Sequence, residues 1–109
     1  MYRDVILPAK RTDERLVVQF PFGDQLQFGE TITGAVVTAV VAVGTDPLPS
    51  DILFGSASVS GSVVSQTIEG GIAGVIYQLV CAAAGSGGNT YTKGAKQAVT
   101  NAPGNIIGP

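Results

Sequence analysis

The chain has 109 residues, the length of a single domain, and only 13% of them are charged. The net charge of −2 is opposite to the basic balance that a nucleic-acid-binding protein carries. The absence of histidine and the presence of a single cysteine exclude a Ser-His-Asp triad, a zinc centre with the usual ligands and an intrachain disulfide. We therefore expect no catalysis, no cofactor, no metal and no nucleic-acid partner.

The two ends of the chain are predicted to be arms on either side of one domain. Residues 1–15 hold half of all the charged side chains, and residues 101–109 are rich in Pro, Gly and Asn. Terminal segments of this kind are often loose unless a partner holds them. The predicted division is an N-terminal arm at 1–15, a β-sandwich domain at 16–100 and a C-terminal tail at 101–109.

The first half of the domain is predicted to form β-strands in chain order. Short β-rich runs at 16–20 and 26–28 are separated by a Pro-Phe-Gly-Asp turn. A longer strand follows at 31–43, where Val and Thr dominate. Both alternating faces of this strand are apolar, so either it is covered on both sides or one face is left for a partner.

The second half continues the same pattern after a Pro-rich loop at 44–51. The last strand carries Lys93 and Lys96, and it is predicted to be a sheet edge because charge on an edge prevents uncontrolled pairing. About seven short strands with regular turn signals are typical of an all-β, immunoglobulin-like β-sandwich of antiparallel strands, here with extended N- and C-terminal arms. The predicted strands of this half are 52–55, 57–60, 62–68, 75–83 and 90–100.

Two charge-free stretches are not expected to cross a membrane. A spanning helix needs about 20 mainly apolar residues. The stretch Thr31–Thr45 has fifteen residues and is dense in Val and Thr, and Gly70–Gly85 has sixteen with Gln78 inside it. Both are therefore predicted to be strands in a protein without a membrane partner.

Individual residues point to structure rather than to chemistry. Cys81 lies in an apolar strand with no basic neighbour, so it is predicted to be a buried structural thiol. Tyr77 opens the strand after a glycine-rich corner, and it is predicted to hydrogen-bond back to the corner backbone as in Greek-key sandwiches. The phenylalanines at 20, 22 and 28 are expected in the core.

Several segments resemble a known family of phage proteins. The segments are Lys10-Arg-Thr-Asp-Glu-Arg15, Val18-Gln-Phe20, Asp24-x-Leu26, Gly29-Glu-Thr-Ile-Thr33, Ser58-Val-Ser-Gly-Ser62 and Gly70-Gly-Ile-Ala-Gly-Val-Ile-Tyr77-Gln-Leu79. Together they resemble the small bacteriophage fiber–tail adaptor proteins over roughly residues 10–100. Gln19-Phe20 stands where those proteins have Asp-Trp, and Thr12 stands at the proline of their Lys-x-Pro-x-Glu stretch.

The resemblance implies a non-catalytic structural component of the virion, assembled in the bacterial host cytoplasm. It implies an adaptor at the neck or tail that contacts connector, tail or fiber subunits, with several copies in a symmetric ring. The alternatives are a capsid decoration protein and an immunoglobulin-like module that binds carbohydrate or peptide through its loops. The residues predicted to form the interfaces are Tyr2, Arg3, Lys10, Arg11, Arg15, Val37, Val41, Ile106 and Ile107.

Overall fold

The computed structural model describes residues 5–101, and in that part of the chain it contains eight strands and one short 3-10 helix. The long strands predicted at 31–43, 75–83 and 90–100 are confirmed to within two residues at each end. The helix spans Pro49–Ile52. The strands are β1 (Val5–Ile6), β2 (Lys10–Arg11), β3 (Arg15–Pro21), β4 (Ile32–Val43), β5 (Leu53–Ser60), β6 (Val63–Glu69), β7 (Ile76–Gly85) and β8 (Thr90–Thr100).

The strands form two sheets, which confirms the predicted all-β sandwich. The first sheet has the order β1-β8-β7-β4, with β2 also paired to β8, and the second has the order β3-β6-β5. The long pairings are antiparallel, whereas β1 and β2 run parallel to β8. Residues 5–11 of the predicted N-terminal arm are thus paired within the chain, and the three-part division and the immunoglobulin-like assignment stay predictions.

The edges of the sheets differ from the sequence expectation. The last strand, β8, lies between β7 and the β1 and β2 strands, so the prediction that it is an edge is wrong. The edge on the other side is β4, which among the strands of residues 5–101 pairs only with β7. A sequence run that is apolar on both faces usually marks an interior strand, but here it lies at an edge.

The predicted strand at 26–28 is also wrong. The segment turns on itself, because the backbone amides of Gln25 and Leu26 both donate to the carbonyl of Phe22, and the amide of Glu30 donates to that of Gln27. The runs predicted at 52–55 and 57–60 join into the single strand β5. A register shift after Phe54 interrupts this strand.

The core lies between the two sheets, where large side chains of β3 and β6 meet those of β4 and β7. Tyr77, Leu79 and Cys81 are fully buried, as the alternation along β7 requires. Ile52 of the 3-10 helix closes one side of this core. The remaining buried apolar residues are Val18, Phe20, Phe22, Ile32, Val37, Ala39, Val64, Ile68, Val75, Ala83, Ala95 and Val99.

Three buried polar side chains hold the irregular backbone around this core. Gln66 donates its amide to the carbonyls of Phe54, Gly55 and Thr67, which supports the bulge in β5. Gln97 donates to the carbonyl of Pro8 at 2.8 Å and so fixes the segment between β1 and β2. The third is Lys10. Each of these buried donors has backbone carbonyls as hydrogen-bond partners, as buried polar groups require.

Candidate assembly surface

The edge strand β4 carries three exposed valines, with the exposed Thr38 between the first two. Val36 and Val40 are 64% and 53% exposed, and Val43 continues the row past a register shift. Val36 lies opposite Ala82 and Val40 opposite Gln78 on β7, so the row has small or polar neighbours on one side and the open sheet edge on the other. An edge without charge or proline is not protected against pairing with another chain.

The two residues of this strand that are predicted to form an interface, Val37 and Val41, lie on its other face. Val37 is buried and Val41 is packed against the core, since both point between the sheets. The structure therefore places the accessible apolar surface at Val36, Val40 and Val43. An interface role for Val37 and Val41 stays a prediction.

One end of the sandwich, which we call the loop end, consists of residues 22–31, 61–62 and 85–89. These loops are joined by hydrogen bonds, because the Ser86 amide donates to the Thr31 carbonyl at 2.7 Å and the Phe22 amide donates to the Ser62 carbonyl at 2.8 Å. Phe28 lies on this end with its ring fully exposed. The expectation of a core role is thus confirmed for Phe20 and Phe22 and wrong for Phe28.

Glu30 fastens the loop end together. Its carboxylate accepts hydrogen bonds from the Tyr91 hydroxyl at 2.6 Å, the Gln27 amide at 3.0 Å and the Gly87 amide at 3.3 Å. The hydrogen bond from the Tyr91 hydroxyl contributes most to the lowered pKa of Glu30. The same hydrogen bond contributes most to the raised pKa of Tyr91. The loop that carries Phe28 is therefore tied to β8 and to the 85–89 turn.

The opposite end, which we call the base, consists of residues 11–14, 44–48 and 69–75. The hydroxyl of Tyr77 accepts a hydrogen bond from the Ile72 amide at 2.9 Å, which is the bond to the corner backbone that the tyrosine prediction specifies. The same hydroxyl donates to Asp46 at 2.6 Å, a contact the sequence does not indicate. Tyr77 thus joins two loops of the base.

The predicted basic interface residues do not form one patch. Lys10 is fully buried, and its ammonium donates to the carbonyls of Arg11 and Gly70, each at 2.7 Å. Arg15 is exposed, pairs with Glu69 at 2.7 Å and lies 4.1 Å over the ring of Phe54. Arg11 is exposed beside Lys10. Four further predicted residues, Tyr2, Arg3, Ile106 and Ile107, lie outside the described part of the chain.

A comparison with protein-family models decides the family. The model described as Gp77, podophage GP4 fiber-tail adaptor protein, matches residues 10–96, which is most of the chain. The chain belongs to this podophage fiber-tail adaptor family. No curated protein matches the sequence.

Membership makes this adaptor chain a structural phage protein and a virion component, and such a family is not a class of enzymes. Within residues 5–101 the adaptor has no group of three or more Asp, Glu or Cys side chains placed to hold a metal ion. No helix in that range is long and apolar enough to span a bilayer.

Cys81 is chemically protected in the adaptor. Its side chain is fully buried in β7, and burial raises the pKa of its thiol to about 11. Because only the thiolate attacks disulfide reagents, we expect native protein to react with a chromogenic disulfide at least about 100-fold more slowly than protein unfolded in urea. A Ser58→Cys variant is the exposed control, and equal rates at both sites would contradict the burial of Cys81.

Sequence reasoning missed three exposed apolar residues, namely Phe28, Val36 and Val40. One signal was available for Phe28, because it directly precedes Gly29, whose φ of +81° marks a turn. For the valines there was no local signal, since both faces of β4 have the same composition.

Proposed function

We propose that this adaptor is located at the neck or tail of the virion, where it contacts connector or tail subunits and attaches fibers. The observation that carries the proposal is the uncharged edge strand β4 with its exposed valines. Such a strand is an aggregation hazard on a free monomer, whereas in an assembly a neighbouring subunit covers it.

Several copies in a symmetric ring are part of the proposal. The β4 face lies along one side of the sandwich, and it differs in composition from the β3 side. A contact between two different faces of successive copies is heterologous, and such contacts close into a ring when the rotation permits. The loop end and the base remain accessible at opposite ends of each copy, so one end is free for a tail or connector subunit and the other for a fiber. Assembly is proposed to take place in the host cytoplasm.

We expect the double variant Val36→Lys, Val40→Lys to fold normally and to be lost from particles. Both positions are more than half exposed, so the substitutions leave the core intact, while two charges on an edge strand oppose the docking of a neighbour. The measurement is quantitative mass spectrometry of purified virions after complementation with the variant. Circular dichroism confirms that the variant is folded.

The matched control is Ser58→Lys on the edge strand β5 of the other sheet, which should enter particles at the wild-type level. Equal incorporation of the double variant and the control would overturn the assignment of the β4 face.

Immunogold electron microscopy tests the position itself. Label at the neck or at the fiber base supports the proposal. Label over the whole capsid identifies a decoration protein instead. Absence of label favours a peptide- or carbohydrate-binding module, for which the exposed ring of Phe28 is the candidate anchor.

A further inference from the structure

The open edge of β4 presents the backbone groups of its odd-numbered residues. On the far side of β7, the Gly85 amide donates to the Asn89 carbonyl at 2.8 Å, and this pair continues the antiparallel ladder of β7 and β8. Alternate residues in such a ladder bond to opposite neighbours, so the odd residues of β7 bond to β8 and the even residues bond to β4. Since Val36 lies opposite Ala82, the even residues of β4 bond to β7. The amides and carbonyls that point to the open edge are those of Ala35, Val37, Ala39 and Val41.

Of the sheet edges within residues 5–101, β4 is the one suited to a long added ladder. It keeps an unbroken register with β7 over residues 34–41, and it contains no charged residue. The edge strand β3 begins with the charged Arg15 and ends with Pro21, which has no amide to donate. A register shift after Phe54 interrupts β5, and β1 and β2 have two residues each. Among these edges, the one that matches β4 in length, regularity and lack of charge is β4 of a second copy.

The sequence of this stretch is nearly symmetric about Thr38, as an edge that pairs with itself requires. Val36 and Val40 lie two residues before and two residues after it. In an antiparallel pair of β4 strands centred on Thr38, Val36 of each copy faces Val40 of the other, and the two Thr38 side chains face each other. Position 35 then lies opposite 41 and position 37 opposite 39. The open backbone groups of both copies therefore meet, and they can exchange about eight hydrogen bonds.

The side chains along this edge also favour self-pairing. A two-fold axis through a strand pair places each charge close to a like charge of the second copy, which is unfavourable. Residues 31–45 contain no charged side chain, so this repulsion is absent. The exposed Val36, Thr38 and Val40 would occupy the positions between the hydrogen-bonded pairs, where side chains of two strands approach most closely. Valine contacts remove apolar surface from water, and paired threonines hydrogen-bond across strands.

We propose that free adaptor molecules form an isologous dimer through β4, with the two-fold axis at Thr38 and the two four-stranded sheets joined into one. The occupant of the edge is a second copy of this chain. The dimer covers an edge that is an aggregation hazard on the monomer. The backbone groups of β4 serve one partner at a time, so the contact that covers β4 in the virion replaces the dimer on assembly. The inference concerns the protein before assembly and does not depend on its position in the virion.

Sedimentation equilibrium of the full chain in reducing buffer tests the dimer. We expect the mean mass to rise from that of the monomer to twice that value between micromolar and near-millimolar concentration. The double variant Val36→Lys, Val40→Lys should raise the dissociation constant of the dimer at least about tenfold, because lysines then face lysines across the axis. Ser58→Lys on the edge strand β5 is the matched control, and its dissociation constant should equal that of the wild type.

Disulfide trapping tests the register, with the buried Cys81 left in place. Thr38→Cys should cross-link to its own copy at least about tenfold faster than Ser58→Cys, because directly opposed residues of this kind have the Cα separation that a disulfide needs. Val36→Cys alone should not cross-link faster than Ser58→Cys, since its counterpart lies four residues, about 13 Å, along the strand. An equal mixture of Val36→Cys and Val40→Cys should give the mixed dimer, which peptide mapping identifies.

Three results would overturn the proposal. The first is a monomeric wild type at every concentration, and the second is a dimer that the two lysines do not weaken. The third is cross-linking of Thr38→Cys no faster than that of Ser58→Cys, which would place any dimer contact at another surface such as the β3 or β5 edge. Incorporation of the lysine variant into particles is measured separately, so a failed dimer with loss from particles refutes only the inference drawn here. A confirmed dimer with normal incorporation refutes only the role of β4 in the virion.

Discussion

Replacement of Phe22 by Ala is expected to lower the free energy of unfolding by about 3–5 kcal/mol, the range for truncation of a buried phenylalanine. The ring of Phe22 is fully buried where the loop end closes the core, and the ammonium of Lys93 lies 5.8 Å from its centroid. The Phe22 backbone also anchors the following turns through its carbonyl. Because a small domain has a total stability of only about 5–15 kcal/mol, the variant loses a large part of it. Urea unfolding followed by circular dichroism measures the change.

Phe28→Ala is the matched control for this prediction. The same residue type lies six positions later in the same loop, yet its ring is fully exposed. A substitution at such a position should change stability by less than about 0.5 kcal/mol. If the two variants were equally destabilised, the placement of Phe28 outside the core would be wrong.

Tyr77→Phe is expected to cost about 1–3 kcal/mol, even though the aromatic ring is kept. The variant removes the hydroxyl that accepts from the Ile72 amide and donates to Asp46, and so leaves a part-buried amide and a carboxylate without that partner. Tyr91→Phe is the control at a more exposed tyrosine, and its effect should be smaller. If Tyr77→Phe lowered the free energy of unfolding less than Tyr91→Phe does, Tyr77 would not be the main residue that joins the loops of the base.

The raised pKa of Tyr77 predicts how the folding stability changes at alkaline pH. Burial, followed by the hydrogen bond to Asp46, raises the pKa of Tyr77 to about 12, whereas an unfolded chain ionises tyrosine near 10.0. Between these values the folded state keeps a proton that the unfolded state has lost, so the contribution of Tyr77 is complete below pH 10 and decreases as pH rises toward 12. The difference of about two pKa units between the folded and the unfolded state corresponds to about 2–3 kcal/mol of folding stability.

The measurement is the difference in unfolding free energy between wild type and Tyr77→Phe from pH 8 to pH 11.5. We expect this difference to shrink steadily above pH 10. Lys10 and Cys81 also have shifted pKa values, lowered and raised respectively, but both proteins contain them and their contributions cancel in the difference. A difference that stays constant with pH would contradict the raised pKa of Tyr77.

Local sequence patterns by themselves determined the fold class and the positions of the long strands. Val, Ile and Thr make up most of β4, and branched side chains favour the pleated surface. Alternating apolar residues mark β7, and a glycine-rich break at 85–88 separates β7 from β8. The apolar strand around Cys81, which has no basic neighbour, also predicted that this thiol is buried, and the glycine corner before Tyr77 pointed to its bond with the backbone. Of the segments that resemble the adaptor family, 29–33 and 70–79 extend into the beginnings of β4 and β7, and the others lie outside the three long strands.

Only the tertiary structure decided which face and which edge of these strands meets solvent. β4 is apolar on both faces, so no periodicity could show that Val36 and Val40 are outside while Val37 is inside; that choice depends on which side the second sheet packs. Lys10 was predicted to lie at an interface, but parallel pairing of β2 with β8 buries it and brings its ammonium to the carbonyl of Gly70, sixty residues away in the chain. The pairing of β1 and β2 with β8 rather than with β3 is likewise a choice between two sheets, which long-range contacts make and which leaves no trace in local sequence.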